Sequence, residues 1–236
     1  TSPPFEATVR DGELYARGAV DDKGQVFMHM KAIEAHLSQT GRLPVNIKVI
    51  LEGVEEVGSA NLDDFIKANK DLLKADVVVI SDSPMFDRDV PSICYGLRGL
   101  AYFQIDVRGT KSDLHSGSFG GAVVNPAMAL ATAIAAMKDK GGRIKIPGFY
   151  DDVVALRDEE RAEFAKLPFN EKRYRMDLGA PKLFGESGYT TLERVWARPT
   201  FEVNGLLSGF TGDGAKTVLP AVAMAKVSMR LVPNQD

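Results

Sequence analysis

Two short runs of β-branched apolar residues constrain the fold of this chain more than any other feature. The first run lies within residues 45–51, and the second is Val-Val-Val-Ile at residues 77–80. Runs of this kind are typical of strands that are buried on both faces of a parallel sheet. Residues 61–73, between the two runs, have the pattern of a helix. The succession of strand, helix and strand therefore predicts an α/β domain.

Acidic side chains stand at the ends of these elements. Apolar residues recur at helical spacing after Asp21, which predicts a helix over residues 23–39 and places Asp21 at its entrance. Glu55 and Glu56 come just after the first predicted strand, and Asp82 follows the second. Ligands bind at the carboxyl ends of the strands in an open α/β sheet. We therefore expect these four carboxylates to converge in space.

Carboxylates in such an arrangement point to a metal site. Oxygen donors from Asp and Glu suit divalent ions, whereas carboxylates that crowd together without a counter-charge raise one another's pKa values. Glu56 is then a candidate ligand, and the adjacent Glu55 is a candidate general base that takes a proton from water. Each feature alone also has an ordinary explanation, such as a helix start at Asp21, an exposed Glu-Glu loop, or a turn at Asp82.

The pattern of the sequence changes near residue 95. Residues 101–107 and 224–231 alternate between apolar and polar side chains, as do strands with one buried face. Between them, residues 123–137 and 150–167 have helical patterns, and no element is predicted over residues 170–200. We therefore expect two domains, an α/β part over residues 1–95 and an α+β part over residues 96–236.

Two residues of the second part are candidates for binding. Arg230 alternates away from the more apolar face of its predicted strand, where it could meet a substrate carboxylate bidentately. An ordinary solvated arginine remains the alternative. His115 lies in a segment rich in Gly and Ser, residues 109–121, which predicts a mobile loop.

Composition excludes some classes of function. The chain has 236 residues, 44% of them hydrophobic and 26% charged, with a net charge of −3, so it has no basic excess to attract nucleic acid. No apolar run approaches the length of a membrane span, and no membrane partner is expected. Cys94 is the only cysteine, which mildly favours a reducing compartment and hence a cytoplasmic location.

Several motifs along the chain carry a family resemblance. They are Leu-Tyr-Ala-Arg-Gly-Ala-Val-Asp-Asp-Lys-Gly at 14–24, Glu-Gly-Val-Glu-Glu-Val-Gly-Ser at 52–59, Ile-Ser-Asp at 80–82, Asp-Leu-His-Ser-Gly at 113–117, Gly-Asp-Gly-Ala-Lys-Thr-Val-Leu-Pro at 212–220 and Arg-Leu-Val-Pro-Asn at 230–234. Together they resemble the two-metal exopeptidases and deacylases, which include carnosine dipeptidases, glutamate carboxypeptidase and acetylornithine deacetylase. The resemblance covers essentially the whole chain, and the dipeptidase branch fits best.

The resemblance implies a role for each matching residue. Asp21 would bridge two metal ions, Glu56 would bind one ion and Asp82 the other, and Glu55 would be the general base. His115 would reach the active site of a partner subunit and stabilise the oxyanion. Thr217 and Arg230 would hold the carboxylate end of the substrate. The peptide bond between Asp21 and Asp22 is expected to be cis.

The implied fold is a partial metallopeptidase catalytic domain with a mostly parallel sheet, followed by a partial α+β lid and dimerisation domain with an antiparallel sheet. The family's two metal-binding histidines, one in a His-x-Asp motif and one near the C-terminus, have no counterpart here, so the chain is expected to be a fragment. Without them the carboxylates would need a proton, a lysine such as Lys23, or a solvent cation to offset their charge.

The implied function is a metal-dependent hydrolase that uses two zinc or manganese ions to cleave the amide bond of dipeptides with a free carboxylate. It would act as a homodimer formed through the lid domain. A deacylase acting on N-acyl amino acids, of the acetylornithine deacetylase type, is the alternative within the enzyme class. For the fragment alone, which is expected to be inactive, the other alternative is a non-catalytic dimerisation module.

Overall fold

The computed structural model describes residues 2–235. The chain divides into two compact units, Thr1–Tyr95 and Gly96–Asp236. We call them the N-terminal unit and the C-terminal unit. Among the helices of the described residues, none is long and apolar enough to cross a membrane.

The N-terminal unit is built mostly from helices and irregular segments. A hairpin of β1 (Thr8–Arg10) and β2 (Glu13–Tyr15) precedes helix α1 (Gly24–Thr40), which agrees closely with the predicted helix over residues 23–39. The second predicted helix is divided into α2 (Leu62–Ala68) and α3 (Lys70–Leu73). Gly41 ends α1 in the left-handed conformation and donates its backbone N–H to the carbonyl of Leu37.

The predicted parallel sheet is not formed within the described residues, where all strand pairs are antiparallel. Residues 45–51 and 77–80 are assigned to no strand, and Val77 to Ile80 are each 73% exposed or more. A run buried on both faces needs a neighbouring strand and covering helices on both sides. Neither segment has such a neighbour in residues 2–235, so its apolar side chains face solvent.

Residues 48–54 line a cleft of about 550 Å³ with α2 and α3.

The C-terminal unit contains a three-stranded antiparallel sheet. Its strands lie in the order β3 (Gly99–Arg108), β7 (Val222–Leu231) and β5 (Thr200–Ser208). The first two are the strands predicted from alternation, and β5 was not predicted. A β-bulge at Asn204 separates the pair formed by Val203 and Val227 from the pair formed by Gly205 and Lys226. A smaller ladder joins β4 (Leu114–His115) to β6 (Val218–Leu219).

One face of this sheet carries the core. Helix α5 (Pro126–Ala136) places Leu130 against Phe201, Ala225 and Val227, and all four side chains are buried. Asn125 caps the helix by accepting the backbone N–H of Ala127. The polar residues of β7 alternate onto the other face, because successive side chains of a strand point to opposite sides. Arg230 lies on that other face, as its sequence position predicts.

Three short helices follow α5: α6 (Asp158–Lys166), α7 (Glu171–Asp177) and α8 (Thr191–Trp196). The predicted helix over residues 150–167 is therefore formed only in its second half. Residues 150–157 are not helical, because Tyr150 takes part in tertiary contacts: its hydroxyl accepts the backbone N–H of Ile144, and its ring packs on Arg143. Helices α7 and α8 lie in the region for which no element was predicted.

A buried ion network fixes α8 and the chain before β5. Arg198 is 4% exposed and donates two hydrogen bonds to Glu186, from Nε at 2.8 Å and from Nη2 at 3.0 Å. Arg143 adds a third hydrogen bond to the same carboxylate, at 3.0 Å. The guanidinium of Arg198 also packs on the ring of Tyr189, 4.4 Å from its centroid. Glu186, 7% exposed, therefore has its charge fully matched.

Candidate metal centre and substrate-binding residues

Asp21 lies in the turn Ala19–Lys23, which leads directly into α1. The backbone N–H of Lys23 closes this turn on the carbonyl of Gly18 at 2.9 Å. The peptide bond between Asp21 and Asp22 is cis, as the resemblance implies. Oδ1 of Asp22 is buried and has no hydrogen-bond partner among the described residues. This oxygen adds a further acceptor beside Asp21.

Glu55 and Glu56 begin a single 3₁₀ turn, Glu55–Val57. Gly58 ends the turn at φ 97°, a backbone conformation that favours glycine. Partial desolvation raises the pKa of Glu55, and the negative charges of Asp82, Glu56, Glu52 and Asp21 raise it further. The charges of the three predicted ligands therefore act together on the predicted general base.

The segment that carries Asp82 is held by helix α1. His29 and Gln25 are one helical turn apart and share a face of that helix. The ring Nε2 of His29 lies 2.7 Å from Oγ of Ser81, and the amide of Gln25 donates to the carbonyl of Ser83 at 3.3 Å. Contacts on both sides of Asp82 thus set its position. The sequence analysis did not predict this role of His29 and Gln25, although their spacing of four residues places both side chains on one face of the helix.

Arg17 provides a cation in direct contact with one of the predicted ligands. Its Nη2 donates to Oε1 of Glu56 at 2.7 Å, and both side chains are more than half exposed. This contact was not predicted, and Lys23 was named instead as a compensating charge. Arg17 belongs to the same motif as Asp21, so the motif brings both a carboxylate and a counter-charge to one place.

The carboxylates fit a divalent ion in their chemistry but do not enclose one. Carboxylate oxygens are suitable ligands for such ions, and the charges around Glu55 show mutual repulsion that a cation would relieve. Within residues 2–235, however, no three His, Cys, Asp or Glu side chains are placed so that they could hold a metal ion. The predicted ligands Asp21, Glu56 and Asp82 therefore do not form a complete coordination shell in the described part of the chain.

In the C-terminal unit, His115 and Thr217 are brought together across 102 residues of sequence. His115 pairs with Val218 in the ladder of β4 and β6, and the backbone N–H of Ser116 donates to the carbonyl of Thr217 at 3.1 Å. As a result, Nε2 of His115 lies 3.1 Å from Oγ1 of Thr217. His115 stands at the junction of β4 and α4 (Ser116–Phe119), and not in the long loop that was predicted.

Arg230 lies near the far end of β7, where Leu100 and Thr200 are its partners in the neighbouring strands. Partial burial lowers the pKa of Arg98, and the positive charge of Arg230 lowers it further. Arg98 precedes the first residue of β3, and its Nη1 donates to the backbone carbonyl of Arg198 at 3.3 Å. The charges of Arg98 and Arg230 thus act on one another at this end of the sheet.

The two groups of predicted substrate-binding residues are at opposite ends of β7. The backbone of Gly109 and the side chain of Asp113 both bond to Ala221, which places His115 and Thr217 near the start of the strand. Arg230 is eight residues beyond Val222, the first residue of β7, and a strand rises about 3.4 Å per residue, so about 27 Å separates these two positions.

Sequence comparisons identify the family. The profile of "Peptidase family M20/M25/M40" matches residues 1–151, and that of the "Peptidase dimerisation domain" matches residues 95–236. The chain belongs to peptidase family M20/M25/M40. This confirms the resemblance seen in the motifs, and with it the predicted fold class of a catalytic domain plus a dimerisation domain.

Individual relatives are similar along the whole of this chain. A Beta-Ala-His dipeptidase from Homo sapiens is 36% identical over 235 residues, which are 99% of this chain and 46% of that protein. The Cys-Gly metallodipeptidase dug1 of Schizosaccharomyces pombe is 38% identical, over 100% of this chain and 50% of its own length. The crystal structure of an M20 family metallo-carboxypeptidase, Sso-CP2 from Sulfolobus solfataricus, superposes with a TM-score of 0.84 at 40% identity and covers 100% of this chain and 53% of that one. The chain thus spans about half the length of these relatives.

Proposed function

We propose that the whole protein is a metal-dependent hydrolase that cleaves the amide bond of dipeptides with a free carboxylate. The observation that carries this proposal is the match of residues 1–151, which contain Glu55 and the three candidate ligands, to peptidase family M20/M25/M40. Desolvation and the charges of those ligands also raise the pKa of Glu55. A proton acceptor with a raised pKa beside carboxylates suited to cations is the arrangement that metal-assisted hydrolysis requires. Two of the compared relatives are named dipeptidases and the third a carboxypeptidase, which favours peptides over N-acyl amino acids as substrates.

In this proposal Asp21, Glu56 and Asp82 would contribute carboxylate ligands to two divalent ions, zinc or manganese, and Asp21 would serve both ions. When bound, such ions acidify water and polarise a substrate carbonyl. Glu55 accepts the proton of the attacking water and later gives it to the departing amine nitrogen. Arg230 binds the substrate carboxylate, and the nearby charge of Arg98 strengthens the local positive field. A cytoplasmic location is proposed from the single cysteine.

Substitution of Glu55 tests this assignment in the whole protein. We expect Glu55→Gln to lower kcat for a dipeptide by about 10² to 10⁴ while the metal content is unchanged, because the base is not itself a ligand. Glu52→Gln is the matched control, since Glu52 lies in the same segment and carries the same charge. If the metal content falls in parallel with activity, the roles of Glu55 and Glu56 are reversed. If the unchanged protein does not cleave dipeptides, the proposed function fails.

We also propose that the active protein is a homodimer in which His115 and Thr217 act in the site of the partner subunit. A dimerisation domain matches residues 95–236. Because His115 and Thr217 lie at the other end of β7 from Arg230, a single small substrate cannot contact both groups of one C-terminal unit. A substrate between two subunits can meet Arg230 of one and the His115–Thr217 pair of the other.

Mixing of inactive variants tests this arrangement. Glu55→Gln and His115→Ala subunits, mixed and reassembled, should regain about a quarter of the normal activity, because half of the dimers have one intact site out of two. His115→Ala mixed with Thr217→Val is the control. That mixture should stay inactive, since a site receives both side chains from one subunit. Equal recovery in both mixtures would show that the two residues act in different sites, and recovery in neither would exclude action across the dimer.

A further inference from the structure

The environment of His115 defines which of its ring nitrogens carries the proton. The backbone N–H of Gly117 points at Nδ1 of His115, with a distance of 3.0 Å. A backbone N–H can only donate, so Nδ1 must accept and cannot carry a hydrogen. In a neutral imidazole the other nitrogen is then the donor. The proton of His115 is therefore on Nε2, directed towards Oγ1 of Thr217 at 3.1 Å.

Gly117 also leaves the space that the ring occupies. A Cβ at this position would lie 2.9 Å from Cε1 and 3.2 Å from Nδ1 of His115, and these ring atoms are its nearest neighbours. The backbone of Gly117 is not in the left-handed region, so alanine is compatible with its conformation. Alanine also has a higher helix propensity than glycine. The collision would therefore be relieved by movement of the imidazole, and not by a change in the backbone.

The proton position matters for the chemistry. Nε2 is the ring nitrogen that faces Thr217, the other residue of the pair proposed to enter the partner's site. A proton on Nε2 lets His115 donate to Oγ1 of Thr217, whereas a proton on Nδ1 would make Nε2 an acceptor that takes up the threonine hydroxyl hydrogen. Thr217 Oγ1 accepts from Nε2, which leaves the threonine hydroxyl hydrogen available for a carboxylate or an oxyanion of the substrate.

We infer that Gly117 is a positioning residue: its N–H fixes His115 in the tautomer with the proton on Nε2, and its missing side chain makes room for the ring. The catalytic consequence rests on the proposed hydrolase function, but the tautomer itself does not. The inference predicts that Gly117→Ala displaces His115 without disturbing the helical turn, and that the loss is expressed in kcat more than in KM.

The tautomer can be measured directly by ¹⁵N NMR on the chain labelled at its three histidines, His29, His36 and His115. A His115→Asn variant identifies the His115 signals by their disappearance. At a pH where the ring is neutral, we expect Nδ1 to resonate as an unprotonated nitrogen and Nε2 as a protonated one. The opposite pattern, or an even mixture of the two tautomers, would overturn the inference. This readout does not depend on any substrate or metal.

Two substitutions in the same helical turn complete the test. Gly117→Ala should shift the His115 nitrogens away from the wild-type pattern and lower kcat of the whole protein by about 10- to 100-fold, the cost of a misplaced catalytic group. Ser118→Ala, one residue further on and exposed, should leave both readouts unchanged. A Gly117→Ala variant that keeps the wild-type NMR pattern overturns the inference. If wild-type NMR shows the expected tautomer but dipeptides are not cleaved, the proposed function fails and the role of Gly117 stands.

Discussion

Apolar strand-like segments are buried in one unit of the chain and exposed in the other. In the C-terminal unit, Ala225 and Val227 of β7 are at most 1% exposed, because strands flank them on both sides and α5 covers them. In the N-terminal unit, Val78 belongs to an equally apolar run and is 79% exposed. The difference lies in the neighbours available to each run and not in its composition. Apolar patterning thus sets the tendency to be buried, while hydrogen-bonded neighbours decide whether burial occurs.

The two units also differ in how far their ion pairs are exposed to solvent. The Arg198–Glu186 pair in the C-terminal unit has both side chains at most 8% exposed, and the Arg17–Glu56 pair in the N-terminal unit has both above 50%. A buried pair cannot lose one member without leaving an uncompensated charge, whereas an exposed pair is replaced by water. The Arg198–Glu186 pair is therefore a fixed part of the interior of the C-terminal unit. In the N-terminal unit, Glu56 can exchange Arg17 for another cation.

Hydrogen exchange should show the largest contrast between the units. Backbone amides of β7 are expected to exchange at least about 10³-fold more slowly than those of residues 77–80, since ladder amides open only with the whole unit. Mass spectrometry of the exchanged chain measures both segments in one sample. Equal protection of residues 77–80 and β7 would break the comparison, because it would mean that the apolar run is paired in solution.

Loss of the buried arginine should have the next largest effect. We expect Arg198→Ala to lower the free energy of unfolding by about 3 to 5 kcal/mol, because Glu186 would keep a buried charge. Arg17→Ala, which removes the exposed pair, should change it by less than about 1 kcal/mol. Urea unfolding followed by circular dichroism compares the two variants. Similar losses in both would show that the exposure of the pairs does not govern their contribution.

A matched pair of valines sharpens the comparison of apolar burial. Val227→Ala creates a cavity between the sheet and α5, and should cost about 2 kcal/mol of stability. Val78→Ala removes the same atoms from an exposed site, and should change stability by no more than about 0.5 kcal/mol. Thermal unfolding of the two variants gives the difference. A cost for Val78→Ala as large as that for Val227→Ala would contradict the exposure seen at residues 77–80.

The smallest effect concerns a helix cap in the scaffold. Oγ1 of Thr190 accepts the backbone N–H of Glu193, while the carboxylate of Glu193 accepts the backbone N–H of Thr190 at 2.7 Å. Thr190→Ala should therefore cost about 1 kcal/mol, and Thr190→Ser should cost less because serine caps equally well. Denaturant midpoints of the two variants provide the measurement, and equal losses would rule out the hydroxyl as the cause.

Sequence patterns predicted the helices and strands whose formation follows from regular apolar spacing in their own residues. Helix α1, helix α5 and strands β3 and β7 all have regular apolar spacing, and each was predicted within a few residues. Strand β5 was missed because its bulge breaks the alternation at Asn204. The first half of the helix predicted over residues 150–167 is not formed, because contacts of Tyr150 with the preceding residues Arg143 and Ile144 outweigh local helix propensity.

The candidate site shows the same limit. The motifs selected Asp21, Glu55, Glu56 and Asp82, and in the structure the charges of the other three raise the pKa of Glu55. The partner of Glu56 was not predictable, because several cations are near in sequence and only the folded chain selects Arg17. The contact of His115 with Thr217 depends on the ladder of β4 and β6, two-residue strands that carry too little sequence to be recognised.

The bulge in β5 has a consequence for how this strand can change over evolutionary time. Before Asn204 the odd-numbered residue Phe201 faces the helix, and after it the even-numbered Leu206 is the partner of the buried Ala225. Because of the extra residue, the side chains on the helix-facing side have odd numbers before Asn204 and even numbers after it. Removal of Asn204 alone would restore regular pairing, because Val203 and Gly205 would still lie opposite the consecutive residues Val227 and Lys226, and every later side chain of β5 would keep its face. The bulge should therefore be the one place in β5 where a single residue can be lost without turning the side chains beyond it to the other face.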